Sequence, residues 1–146
     1  MNHWFAGVIG ATAIAASTAV LQASAADLPR TPAPADAKVY IISPKDGAVV
    51  HGPVTVRFGL SGMGVAPAGT MAENTGHHHL IIDAPLPPMD QPLPKDEQHL
   101  HFGKGQTETV LTLAPGKHTL QLVLGDANHV PHDPPVVSAK ITIRVK

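Results

Sequence analysis

Residues 54–60, VTVRFGL, alternate apolar and polar side chains without a break: Val54, Val56, Phe58 and Leu60 share one face, Thr55, Arg57 and Gly59 the other. A period of two is what a strand with one wet face requires. A helix at 3.6 residues per turn would scatter the same side chains around its circumference. Related short runs recur along the chain: KVYIIS (38–43), HHHLIID (77–83), HLHF (99–102), TETVLTL (107–113), KHTLQLVLGD (117–126) and VVSAKITIRVK (136–146). Turns separate them, drawn from 15 prolines and 13 glycines, and no window sustains a helical period. About seven strands of this kind predict an all-β fold, an immunoglobulin-like antiparallel β-sandwich, with a closed barrel as the alternative.

The chain has 146 residues, and its first 25, MNHWFAGVIGATAIAASTAVLQASA, are apolar, Ala-rich and end in the small-residue pattern Ala23-Ser24-Ala25. This reads as a signal peptide (1–25), although no Lys or Arg precedes the apolar stretch; a single membrane anchor is the alternative. Residues 26–37 form a Pro/Ala-rich leader, and 38–146 the β-sandwich domain, one modest core in about 110 residues. The expected location is periplasmic or secreted, with no stable membrane insertion after signal cleavage.

Cysteine is absent, which excludes disulfides, thiolate metal sites, thiol nucleophiles and lipidation at cysteine. Net charge is −1, from ten basic and eleven acidic residues spread along the chain, so there is no basic patch for nucleic acid or anionic lipid. Histidine is the outlier: nine of the ten fall between residues 51 and 132.

Neighbours two apart on a strand stand roughly 6.6 Å apart at their roots, close enough for two imidazoles to lean onto one ion about 2 Å from each nitrogen. The spacing occurs twice, as His77/His79 and His99/His101, and adjacent strands would unite the pairs into four nitrogen ligands. His129 and His132, in the loop DANHVPHD between Asp126 and Asp133, could form a second site or complete the first; the competing reading is an ordinary turn built by Asp126 and Asn128. His78 alternates onto the face of Leu80 and Ile82, and His118 onto that of Leu120, Leu122 and Leu124, so both read as structural. His51 precedes a Gly-Pro turn and reads as solvated.

Met63, Met71 and Met89 lie in expected loops, where thioether plus imidazole would favour copper, but loop methionines also cover core edges. No serine stands in a nucleophile elbow and no carboxylate pair frames a cleft; Glu73, Asp83 and Glu97 are candidate bases only by nearness to histidines, so no enzyme is expected. The long loops 61–76, 84–98 and 125–135 are candidates for function, the second stiffened by five prolines.

Taken with SPKDGAVVHGPVTVRFGLSGMGVAPAG before it and PGKHTLQLVLGDANHVPHDPPVVSAKITIRV after it, GHHHLIID resembles a bacterial exported family catalogued only as a domain of unknown function. The resemblance covers about residues 38–145. It implies a secreted or periplasmic β-sandwich module and no established activity. The residues themselves point to a metal-binding protein for copper or zinc, with the metal ion as principal partner. The other reading is a non-enzymatic envelope module, with an envelope protein as partner, whose histidines form hydrogen bonds or respond to pH.

Overall fold

The computed structural model describes residues 29–146; the expected signal peptide lies outside the described residues. Nine strands and no helix are found among them: β1 (Lys38–Ser43), β2 (Val49–Val50), β3 (Val54–Ser61), β4 (Gly64–Val65), β5 (Thr75–Ile82), β6 (His99–His101), β7 (Glu108–Leu111), β8 (Gly116–Gly125) and β9 (Ile141–Val145). The all-β, two-sheet expectation holds. The count rises from seven to nine because β2 and β4, two residues each, are too short to show any alternation.

One sheet has three strands in the order β1-β3-β7, all antiparallel. The other runs β2-β9-β8-β5-β4, with β6 also on β5. β5 pairs with β8 along His77–Ile82 on one edge. Its other edge is shared by β4, parallel at Thr75 and Gly76, and β6, antiparallel at His79–Ile81. β9 is shorter than its sequence run. Residues 136–140 approach β8 only locally, where the Leu122 amide donates to Ser138 Oγ (2.8 Å) and the Ser138 amide to the Leu122 carbonyl (2.9 Å).

The faces read from alternation form the main core. Val54, Val56 and Phe58 of β3 meet Leu80 and Ile82 of β5, Leu120, Leu122 and Leu124 of β8, and Ile141, Ile143 and Val145 of β9. Complete burial of a Leu- or Ile-sized side chain contributes roughly 2 kcal/mol, so these rows dominate the stability of a chain without cross-links. The opposite face of β5 and β8 is buried too. Ile81 and Val123 pack there with Ala84 and Leu93, supported by Met89, so the proline-rich 84–98 loop folds back over the sheet. This second layer encloses the histidines.

The leader is fastened to the domain in its second half. Thr31 Oγ1 donates to Asp126 Oδ2 (2.7 Å), the Ala33 amide donates to the Asp133 carbonyl (3.0 Å), and Arg30 reaches the Asp133 carboxylate (3.4 Å) and the His132 carbonyl.

Candidate metal centre

Register decides which histidines meet. Residues directly opposite in an antiparallel pair project from the same face with roots about 5 Å apart. β6 sets His101 opposite His79 and His99 opposite Ile81; β8 sets Gly125 opposite His77 and Val123 opposite His79. The second-layer face of β5 therefore carries His77, His79 and His101 in one patch. His129 joins from the loop after β8, over Gly125.

The loop is built to hold it there. Asp126 Oδ1 accepts from the amides of Asn128 (2.8 Å) and Val130 (3.0 Å), the Asp126 carbonyl accepts from the His129 amide (3.0 Å), and the His129 carbonyl accepts from the Leu93 amide (2.8 Å). These bonds fix His129 at φ 66°, a left-handed conformation that costs a side-chain-bearing residue roughly 1 kcal/mol. Two glycines make room for the rings. A Cβ on Gly125 would stand 2.9 Å from His79 Nε2, and one on Gly103 would overlap the His101 ring.

One ring nitrogen from each of His77, His79, His101 and His129 lies within 4.8 Å of the other three. Ring centroids are separated by 4.7–6.0 Å. His77 Nε2 is 2.9 Å from His79 Nε2 and 3.1 Å from His129 Nδ1. A neutral imidazole nitrogen offers either one N–H or one lone pair in its plane, so it satisfies one aligned partner. His77 Nε2 faces two, which brings nitrogen lone pairs toward a common point. Four nitrogens about 2.0–2.1 Å from an ion would stand about 3–4 Å from each other, so the group could hold a metal ion with small adjustments.

The protonation states agree with that chemistry. His77, 1% exposed, is lowered to about 4, first by burial and then by the positive charge His129 and His101 would carry. His79, 2% exposed, is lowered to about 2 by burial, then by His77 and His101. His101 is lowered by burial, then by His129 and the nearby Lys95 ammonium. These three rings are neutral at pH 7, the form that ligates a cation.

Two of the six histidines expected as ligands stand elsewhere. His99 lies one pair further along β6, and its Nδ1 meets Asp96 Oδ1 at 2.8 Å. His132 is fully buried with its ring against Gly76, and its Nε2 donates to the Thr75 carbonyl (3.2 Å). The centre brings together His77, His79, His101 and His129 instead. The loop carboxylates are committed as well: Asp126 to the turn and Thr31, Asp133 to Arg30. The turn expected of Asp126 is real, and it serves to present His129.

The structural histidines lie where alternation put them. His78 is fully buried with its ring 5.1 Å from Phe58, and His118 places Nδ1 2.7 Å from Asp83 Oδ2 and Nε2 2.7 Å from the Ala114 carbonyl. Both His118 nitrogens face acceptors, and the Asp83 hydrogen bond raises its pKa. Met63 packs on the main core, Met89 on the smaller cluster, and Met71 is 80% exposed.

Residues 56–146 match the family described as Domain of unknown function (DUF4399). The chain belongs to this family. The matched stretch begins inside β3 and contains all four clustered histidines, so the centre is part of the DUF4399 domain. Comparisons with curated proteins and with solved structures gave no match. Sequence reasoning missed the second-layer residues of this DUF4399 domain, Leu93 and Lys95. With His79, His101 and His129 they line a cleft of about 210 Å³ that opens onto the centre. Their position depends on how a 15-residue proline-rich loop folds back, which local pattern does not encode.

Proposed function

We propose that this protein is an exported, non-enzymatic metal-binding protein that holds one copper or zinc ion through His77, His79, His101 and His129. The convergence of four ring nitrogens within 4.8 Å carries the reading. Four imidazoles without a carboxylate or thiolate suit Zn, Cu and Ni better than the hard cations Ca and Mg, and Cu(II) heads the affinity order. Among the described residues, none that lines the cleft is a methionine, so the lining does not favour Cu(I) in particular. The apolar segment 1–25 supports a periplasmic or secreted location, where a cysteine-free centre keeps its ligand set under oxidising conditions.

Histidines that serve an envelope module only as hydrogen-bonding residues would be dispersed over the fold; His78, His118 and His132 fit that reading, and the four clustered rings do not. Elemental analysis and calorimetry on tag-free protein test the proposal. One Cu(II) or Zn(II) per chain is expected, and an absence of stoichiometric binding of either ion overturns it.

A further inference from the structure

We propose that the metal-loaded centre takes a small anion, an inorganic monoanion or a carboxylate, from the cleft at its mouth, with Lys95 as the pairing cation. This rests on the metal-binding reading and adds an external ligand to it.

The centre has a closed back and an open front. His77 is 1% exposed and does not line the cleft, whereas His79, His101 and His129 do, together with Leu93 and Lys95. An ion held by the four nitrogens would thus present one side to a space of about 210 Å³. A water molecule occupies about 30 Å³ of liquid, so this space suits a small anion with a few waters and is too small for a folded peptide.

Charge decides the sign of the ligand. Four neutral imidazoles leave the charge of a divalent cation uncompensated, and burial makes that costly. Asp126, the loop carboxylate nearest in sequence to His129, has both oxygens engaged, by Thr31 Oγ1 and by the Asn128 and Val130 amides. Among the described residues, the one charged side chain lining the cleft is Lys95, also positive. The larger neighbouring cleft, which shares Lys95 and His101, is lined by two carboxylates: Asp96 is held by His99 at 2.8 Å, and Glu97 does not line the cleft over the four rings. A lysine at the mouth of a cation site opposes metal binding by itself, and becomes favourable once an anion bridges ammonium and metal. Leu93, which also lines the cleft, gives it an apolar flank that lowers the local polarity and strengthens that bridge.

Azide is the probe, on protein first loaded with Cu(II), because any imidazole centre that holds zinc also holds Cu(II). Copper stoichiometry is measured before azide is added. One azide per copper is expected, seen as a saturable azide-to-copper charge-transfer band. Lys95→Gln should weaken azide about fivefold at unchanged copper stoichiometry, and Lys95→Arg should restore it. Copper-loaded protein that shows no azide band, or equal azide affinity in wild type and Lys95→Gln, overturns the anion site and leaves the metal reading standing. Failure to load copper overturns the anion site as proposed, and failure to load zinc as well overturns the metal reading.

Discussion

On its inner face β5 sets His78 between Phe58 and the leucines of the main core; on its outer face it sets His77 and His79 beside Ile81. All three rings are at most 2% exposed, yet they meet opposite circumstances. Neither His78 nitrogen makes a well-formed hydrogen bond among the described residues, although the Gln106 and Gly59 backbones stand nearby, and burial lowers its pKa to about 4. The outer rings turn nitrogens toward one another and toward His101 and His129. Burial alone therefore does not identify a ligand. What separates the two faces is whether the buried lone pairs share a target.

The largest effect expected of that contrast is on metal. His79→Ala/His101→Ala should lower Cu(II) or Zn(II) affinity on the order of 100-fold or more in a calorimetric titration, with the far-ultraviolet circular dichroism of the fold retained. Equal affinity in the double variant would place the ion somewhere other than the outer face.

Acid should act on the metal-free protein next. His77 and His79 have folded pKa values of about 4 and about 2, below the ordinary 6.5, so the unfolded chain binds more protons as pH falls. Their contribution is intact above about pH 6.5 and is lost as pH falls below it, on the order of 2 kcal/mol for each ring by pH 5 in urea titrations. His118 has the opposite sign: its raised pKa gives stability that is full below about 6.5 and fades as pH rises through the folded value. Proton resonance titrations should separate the rings, with His118 moving above 6.5 and His77 and His79 below.

His78→Leu tests the inner face. Replacing an unpaired buried imidazole with an apolar side chain should stabilise the fold by about 1 kcal/mol in chemical denaturation and leave metal stoichiometry unchanged. A destabilised variant would mean that His78 has a polar role in the core. The smallest shift is expected from His129→Gly. Glycine adopts φ 66° without strain, so stability should hold or rise by up to about 1 kcal/mol while metal affinity falls. A clear loss of stability on this change would show that His129 is kept for packing.

The inner face was legible in the sequence because burial there follows a strict period of two, from Val54, Val56 and Phe58 to Ile141, Ile143 and Val145. So was the division of the triplet into His77 and His79 on one side and His78 on the other. The choice between His99 and His101 was not legible, since both alternate correctly and only the register against β5 tells them apart. His129 separated from His132 for a similar reason: the Asp126 turn puts one ring over Gly125 and folds the other beneath Gly76. Both outcomes depend on contacts between segments far apart in the chain.

The ligands come from three separate stretches: a long central strand, a three-residue edge strand and a surface loop. An ion bound by all of them closes two loops of roughly 20–30 residues each, which removes freedom from the unfolded chain much as a covalent bridge of that span would. In a polypeptide that has no cysteine with which to make such a bridge, metal occupancy would set how often the edge strand and the loop detach. Resistance to proteolysis near residues 93–101 and 126–132 would then report the ion concentration outside the protein.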